Sequence, residues 1–185
     1  MVAAELQKAQ PGAFTYVNKG VGGDRIPDVY SRIVSDIIKI NPDYMSLLIG
    51  VNDVWRNFDS DGTGTGVARF QKVYDILLEE LKEELPSLKI IIMGAFVIEG
   101  TATKNKPDQP TRYADFRSQV AEMAEISRKL AEKYGCAYID LQKAFDDAVK
   151  AQPGVILSAD GVHPTKEGHE LITKEWLAAF KKVEV

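Results

Sequence analysis

The sequence predicts an α/β domain: a parallel sheet covered by helices on both faces. Two observations carry this. Strand-like and helix-like segments alternate along the chain, and the strand-like runs are continuously apolar, as in strands buried on both sides. Tyr44–Ile49 and Lys89–Met93 are the clearest such runs, and Ala137–Ile139 is a shorter one. Phe14-Thr15-Tyr16-Val17 also reads as a strand.

The helices follow from apolar spacing. Residues 2–10 form a short helix ended by Pro11-Gly12. Ile26, Val29, Tyr30, Ile33, Val34, Ile37 and Ile38 recur at helical spacing over 26–40, and Asn41-Pro42 stops them. Residues 67–84 place Val67, Phe70, Val73, Tyr74, Leu77, Leu78 and Leu81 on one face. A long helix is predicted over 112–134 and another near 141–150. Thr165 caps the last helix, with Gly168 in its first turn. Residues 50–66 and 95–111 read as long loops. In sheets of this kind functional residues gather in the loops that leave the carboxyl ends of strands.

Composition narrows the function. The chain has 185 residues, 45% hydrophobic and 27% charged, which suits one domain spanning 1–185. A net charge of −4 argues against a nucleic-acid partner. The longest apolar runs are too short for a membrane span. One cysteine and two histidines cannot build a Cys/His metal cluster, so no metal is expected. Cys136, beside a strand, reads as a buried, unreactive thiol. Met1–Leu6 shows no signal peptide, which favours the cytoplasm only weakly, because the N-terminus reads as incomplete. A domain of this type begins with a strand, whereas this chain begins with a helix.

Three short stretches could carry chemistry. Asn18-Lys19-Gly20-Val21-Gly22-Gly23-Asp24 follows the first predicted strand; its glycines free backbone N–H groups to face a ligand, or simply make a turn. Gly50-Val51-Asn52-Asp53 follows the next strand; the Asn52 amide could donate to an oxyanion, or form an Asx turn. Asp160-Gly161-Val162-His163 precedes the last helix; a carboxylate near an imidazole can orient it as a base. Alone, each is weak. Their order and placement together are not.

On these three blocks the chain resembles the GDSL-type, or SGNH, serine esterases and lipases, from about residue 14 to its end. The resemblance implies a three-layer α/β/α sandwich of flavodoxin-like type and a carboxylic-ester hydrolase with no cofactor. It implies that Gly23 and Asn52 form an oxyanion hole, that His163 is the general base and that Asp160 orients it. Trp55 and Arg56, just after the Asn52 block, are candidates for the substrate pocket. The partner implied is a small-molecule ester with a short acyl, carbohydrate or lipid group.

One departure is large. The family's first block, a strand followed by Gly-Asp-Ser, is absent, and no Gly-Asp-Ser occurs in the sequence. No nucleophile is identified. Asp59-Ser60 follows Phe58 rather than a strand-end glycine, and Ser158 lacks an activating turn. A chain missing its first strand explains both this and the helical start. The alternative is a non-catalytic binding or assembly module on the same fold. Loss of a central strand also predicts an open sheet edge and self-association, or pairing of Phe14–Val17 with Tyr44–Ile49. Asn57–Gly62 partly matches a calcium loop, but Ala68 stands where a bidentate Glu is needed.

Overall fold

The computed structural model describes residues 1–58 and 62–184. The chain order is α1 (Val2–Ala9), α2 (Ile26–Ser31), a π-helical turn (Val34–Ile38), β1 (Tyr44–Leu48), α3 (Val51–Phe58), α4 (Val67–Glu84), β2 (Lys89–Met93), α5 (Arg112–Lys133), β3 (Ala137–Ile139), α6 (Leu141–Ala151) and α7 (Lys166–Val183). Among the described residues the sheet has three strands, all parallel, in the order β1-β2-β3.

Alternation along β2 divides the core. Ile90 and Ile92 face one side, where Phe70, Tyr74 and Leu77 of α4 and Phe116, Val120 and Met123 of α5 pack. Ile91 and Met93 face the other, against Phe145 of α6 and Trp176 and Phe180 of α7. Helices therefore cover both faces, as the sequence predicts. Trp176 meets the sheet with a polar anchor: its Nε1 donates to Ser46 Oγ at 2.7 Å.

Three expectations need correction. Phe14–Val17 is not a strand and pairs with neither β1 nor any other strand. A strand exists only as part of a ladder; among the described residues β1 pairs with no strand but β2, and Phe14 instead meets Tyr44 and Phe180 through its ring, at 6.3 and 5.7 Å. The helix expected over 26–40 breaks at Arg32, whose guanidinium reaches out to Asp24, Asp36 and the Lys19 carbonyl, and resumes as a π turn in which Lys39 N–H donates to Val34 O at 3.0 Å. The loop expected over 50–66 begins as a helix, α3. Val54 is fully buried, and Phe58 stacks on Phe116 at 5.1 Å.

Cys136 lies just before β3 and is half-buried, and burial raises its thiol pKa above the ordinary value. Asp59-Ser60 and the central residues of the calcium-loop match lie outside the described residues. Among the described residues, no helix is long and apolar enough to cross a membrane, and no cluster of three His, Cys, Asp or Glu could hold a metal ion.

Candidate active site

The Asp160–His163 turn is built by backbone geometry. Gly161 takes φ +101°, a conformation that side-chain-bearing residues rarely adopt, and this curls the chain back on itself. Asp160 Oδ1 then accepts from the Val162 and His163 amides at 3.0 and 2.8 Å and from Ser158 Oγ at 3.1 Å. Its other oxygen, Oδ2, lies 2.6 Å from His163 Nδ1. Partial burial pushes the Asp160 carboxyl up, but the hydrogen bonds from the His163 ring, the His163 and Val162 amides and the Ser158 hydroxyl outweigh it and bring it down to about 2. In the neutral ring the proton sits on Nδ1, toward the carboxylate, and Nε2 is left as a base. The imidazole side chain is 74% exposed.

Behind this turn lies a support, in a stretch that the sequence predicts only as loop. Ile98, Thr101 and Ala102 N–H donate to the carbonyls of Gly161, Ala159 and Asp160 at 3.0, 3.1 and 3.0 Å. Thr103, fully buried, donates its hydroxyl to Ile98 O at 2.7 Å and accepts from Gly100 N at 2.9 Å. Ser158 is part of the same scaffold: 5% exposed, with Oγ accepting from Gly161 N at 2.9 Å. Among the described residues no serine hydroxyl donates to His163.

The Gly23 loop and α3 form the other half. Asn52 Nδ2 donates to Asp24 O at 3.2 Å, and Arg56 Nη2 donates to Gly23 O at 2.8 Å. Gly23 has φ +85°, and its own N–H takes no partner among the described residues. One hydrogen of the Asn52 amide is used; the other has no partner among the described residues. Arg32 fixes the far side of this loop through Asp24 and the Lys19 carbonyl.

The two halves meet at Trp55 and Arg112. The Trp55 ring lies 5.6 Å from the His163 ring and 6.3 Å from Phe116, and its buried Nε1 has no hydrogen-bond partner among the described residues. Arg112 is 1% exposed. It donates to Ala102 O at 2.8 Å, to Phe58 O at 3.2 Å and to Gln109 Oε1 at 2.7 Å. It thus joins the end of α3 to the segment that backs Asp160. Its signal in the sequence is an arginine in register with Phe116, Val120 and Met123 on the apolar face of a helix. Of the residues singled out from sequence, Gly23, Asn52 and Arg56 are brought together, as are Asp160, His163 and Trp55.

The chain matches the GDSL-like lipase/acylhydrolase family over residues 1–171. It is 31% identical over 170 residues to an acetylxylan esterase of Geobacillus stearothermophilus, covering 87% of this chain and 69% of that protein. A GDSL-like lipase from Parabacteroides merdae superposes with a TM-score of 0.86 at 28% identity, over 96% of this chain and 78% of that one. The G. stearothermophilus acetylxylan esterase Axe2 superposes at 0.81, with the same identity and coverage. Two solved catalytic mutants of Axe2 are altered at a serine and at a histidine. With its family matched over residues 1–171 and its fold shared with these esterases, the chain belongs to the GDSL-like lipase/acylhydrolase family.

Proposed function

We propose that this chain carries the acid–base and oxyanion parts of a carboxylic-ester hydrolase acting on acetyl esters of carbohydrates. The reaction is completed by a serine from a Gly-Asp-Ser block that this sequence does not contain. The observation that carries the reading is the 2.6 Å contact between His163 Nδ1 and Asp160 Oδ2, which leaves Nε2 at the surface as a base. The serine hydroxyl attacks the acyl carbon while Nε2 takes its proton. Gly23 N–H and the second Asn52 amide hydrogen receive the developing oxyanion. His163 then returns the proton to the leaving alcohol, and the same Nε2 next takes a proton from a water that attacks the acyl-serine; the carboxylic acid leaves and the proton returns to the serine oxygen. Trp55 and Arg56 flank the acyl group. The acetyl-carbohydrate preference rests on the acetylxylan esterases to which the chain is similar.

The test supplies the nucleophile. A strand ending in Gly-Asp-Ser is added ahead of Met1, and the protein is assayed on an aryl acetate and on acetylated xylo-oligosaccharides, with fluorophosphonate labelling. Labelling of the added serine and turnover that His163→Ala nearly abolishes are expected. Turnover that survives His163→Ala sinks the assignment.

A specific observation favours a second reading for the chain as it stands. Ser158, the nearest serine to the acid–base pair in sequence, spends its hydroxyl on Asp160 and is buried. On this reading the chain is a non-catalytic binding or assembly module, and it binds an acetylated oligosaccharide without turning it over. The outer edge of β1, bordered by the exposed side chains of Ser46 and Leu48, is proposed to mediate self-association. A mass measured by light scattering that stays monomeric at every concentration removes that part of the proposal.

A further inference from the structure

Asp53 is a carboxylate without exposed surface, and the proposed ester hydrolysis assigns it no role. It follows Asn52 on α3. Both its oxygens accept from the Ile26 amide, at 3.1 and 3.2 Å, where α2 begins. The Thr65 hydroxyl also bonds to it, and Thr65 N–H donates to the Asp53 carbonyl at 2.8 Å. The segment carrying Gly23 is therefore tied to α3 at three successive points: Gly23 O by Arg56, Asp24 O by Asn52 and Ile26 N by Asp53. The first two ties are half-exposed side chains reaching to carbonyls. The third is buried, charged and doubled.

We infer that Asp53 is a positioning residue: its carboxylate fixes the start of α2 against α3 and so sets the spacing between the Gly23 N–H and the Asn52 amide. The ester-hydrolase reading supplies only the purpose of those two donors; the spacing is a property of the fold. The charge acting on Asp53 is Arg25, at the head of α2, which Asp28 partly offsets by pairing with it at 2.9 Å. Arg56, on the same helix, is turned to Gly23, and Thr65, ahead of α4, contributes a hydroxyl.

Protonation removes one of the two acceptors and turns it into a donor. The Ile26 amide then keeps a single, weaker bond, and the start of α2 slackens. Burial pushes the Asp53 carboxyl up to about 6, against the pull of the Thr65 hydroxyl, the Ile26 and Asp53 amides and the Arg25 charge. The ionised and neutral forms are therefore both reached under mild conditions.

The test follows the two donors by NMR as pH is varied, without any turnover. The Asp53 carboxyl carbon, the Gly23 and Ile26 backbone amides and the Asn52 side-chain amide are expected to shift with one shared midpoint near 6. The shared transition is lost in Asp53→Asn. It persists in His163→Ala, which removes the imidazole of the neighbouring turn. Movement of Ile26 alone means that Asp53 only caps α2, and overturns the inference. So does movement of Gly23 and Asn52 that survives Asp53→Asn or disappears in His163→Ala. Should Asp53→Asn not fold, the titrations of the unaltered protein and of His163→Ala decide alone. A shared transition in a protein whose nucleophile-restored form hydrolyses no ester leaves the positioning intact and removes the ester reading. Turnover without the shared transition does the reverse.

Discussion

Replacing Gly161 by alanine puts a methyl group where there is no room for one. At φ +101° the new Cβ would overlap Thr103 Oγ1 and the Ile98 carbonyl and come within 2.7 Å of Thr103 Cγ2. None of these can swing away: Ile98 O is backbone, and the Thr103 side chain is fully buried and bonded on both sides. The backbone conformation alone costs about 1–3 kcal/mol for a residue with a Cβ. Forcing a methyl group into a packed site costs about 1–3 kcal/mol more. The displaced Thr103 hydroxyl adds about 1 kcal/mol for its hydrogen bond to Ile98 O. The expected loss is about 5 kcal/mol, a large part of the roughly 5–15 kcal/mol typical of a folded domain. Urea unfolding followed by fluorescence of Trp55 and Trp176 measures it. Gly22→Ala is the control: it meets nothing within 4 Å and has no positive φ, so it should change stability by less than about 0.5 kcal/mol. A loss at Gly161 below about 1 kcal/mol would mean that the Ile98–Thr103 segment yields easily and is not a rigid backing for the Asp160–His163 turn.

Arg112→Met leaves the Ala102 and Phe58 carbonyls and the Gln109 side chain without this donor, and should cost about 3 kcal/mol in urea unfolding. Arg112→Lys should recover only part of it, because an ammonium cannot span the same acceptors; full recovery would show that charge alone matters. Asp160 has a folded pKa below its unfolded value, so its stabilisation is complete above about pH 4 and is lost as pH falls toward 2. Asp160→Asn should flatten the fall of the urea midpoint across that window, and an unchanged slope refutes the assignment. Ser46→Ala orphans the Trp176 indole N–H and should cost about 1–2 kcal/mol, read from the same unfolding curves; no cost would mean that the indole finds water.

What was legible in the sequence was local. The α4 helix, β2 and β3 occur at the residues that apolar spacing assigns, because each buries a pattern written in its own segment. Phe14–Val17 has the composition of a strand, yet composition cannot supply the partner that a ladder needs. Val51–Phe58 follows a glycine and carries Asn, Asp and Asn, so it reads as loop; burial of Val54 and the stacking of Phe58 on Phe116 override that preference. The site divides in the same way. The Asp160–His163 contact follows from a four-residue motif. The support from Ile98–Thr103, the buried Arg112 and the clamp by Asp53 join residues far apart in the chain, and no spacing rule reaches them.

These supports give the site an order that needs no serine. On the proposed reading the oxyanion half is α3 with the Gly23–Ile26 segment, bound by Asn52, Asp53 and Arg56. The proposed acid–base half is the Ser158–His163 turn on its Ile98–Thr103 backing. Each is closed by its own hydrogen bonds, and Arg112 joins them by holding Phe58 O in one and Ala102 O in the other. Ala102 in turn donates its N–H to Asp160 O, one residue before Gly161. Arg112 and Gly161 therefore act on one connected strip, whereas Asp53 sits in the other half. Double-mutant cycles should reflect that division. Gly161→Ala and Arg112→Met together should cost less than the sum of the two, by more than about 0.5 kcal/mol, because either change alone already loosens the strip. Gly161→Ala and Asp53→Asn should add to within about 0.5 kcal/mol, as independent sites do. The opposite result, coupling to Asp53 and additivity with Arg112, would mean that strain at the acid–base turn passes to the oxyanion half by another route, and the division into two joined halves would fall.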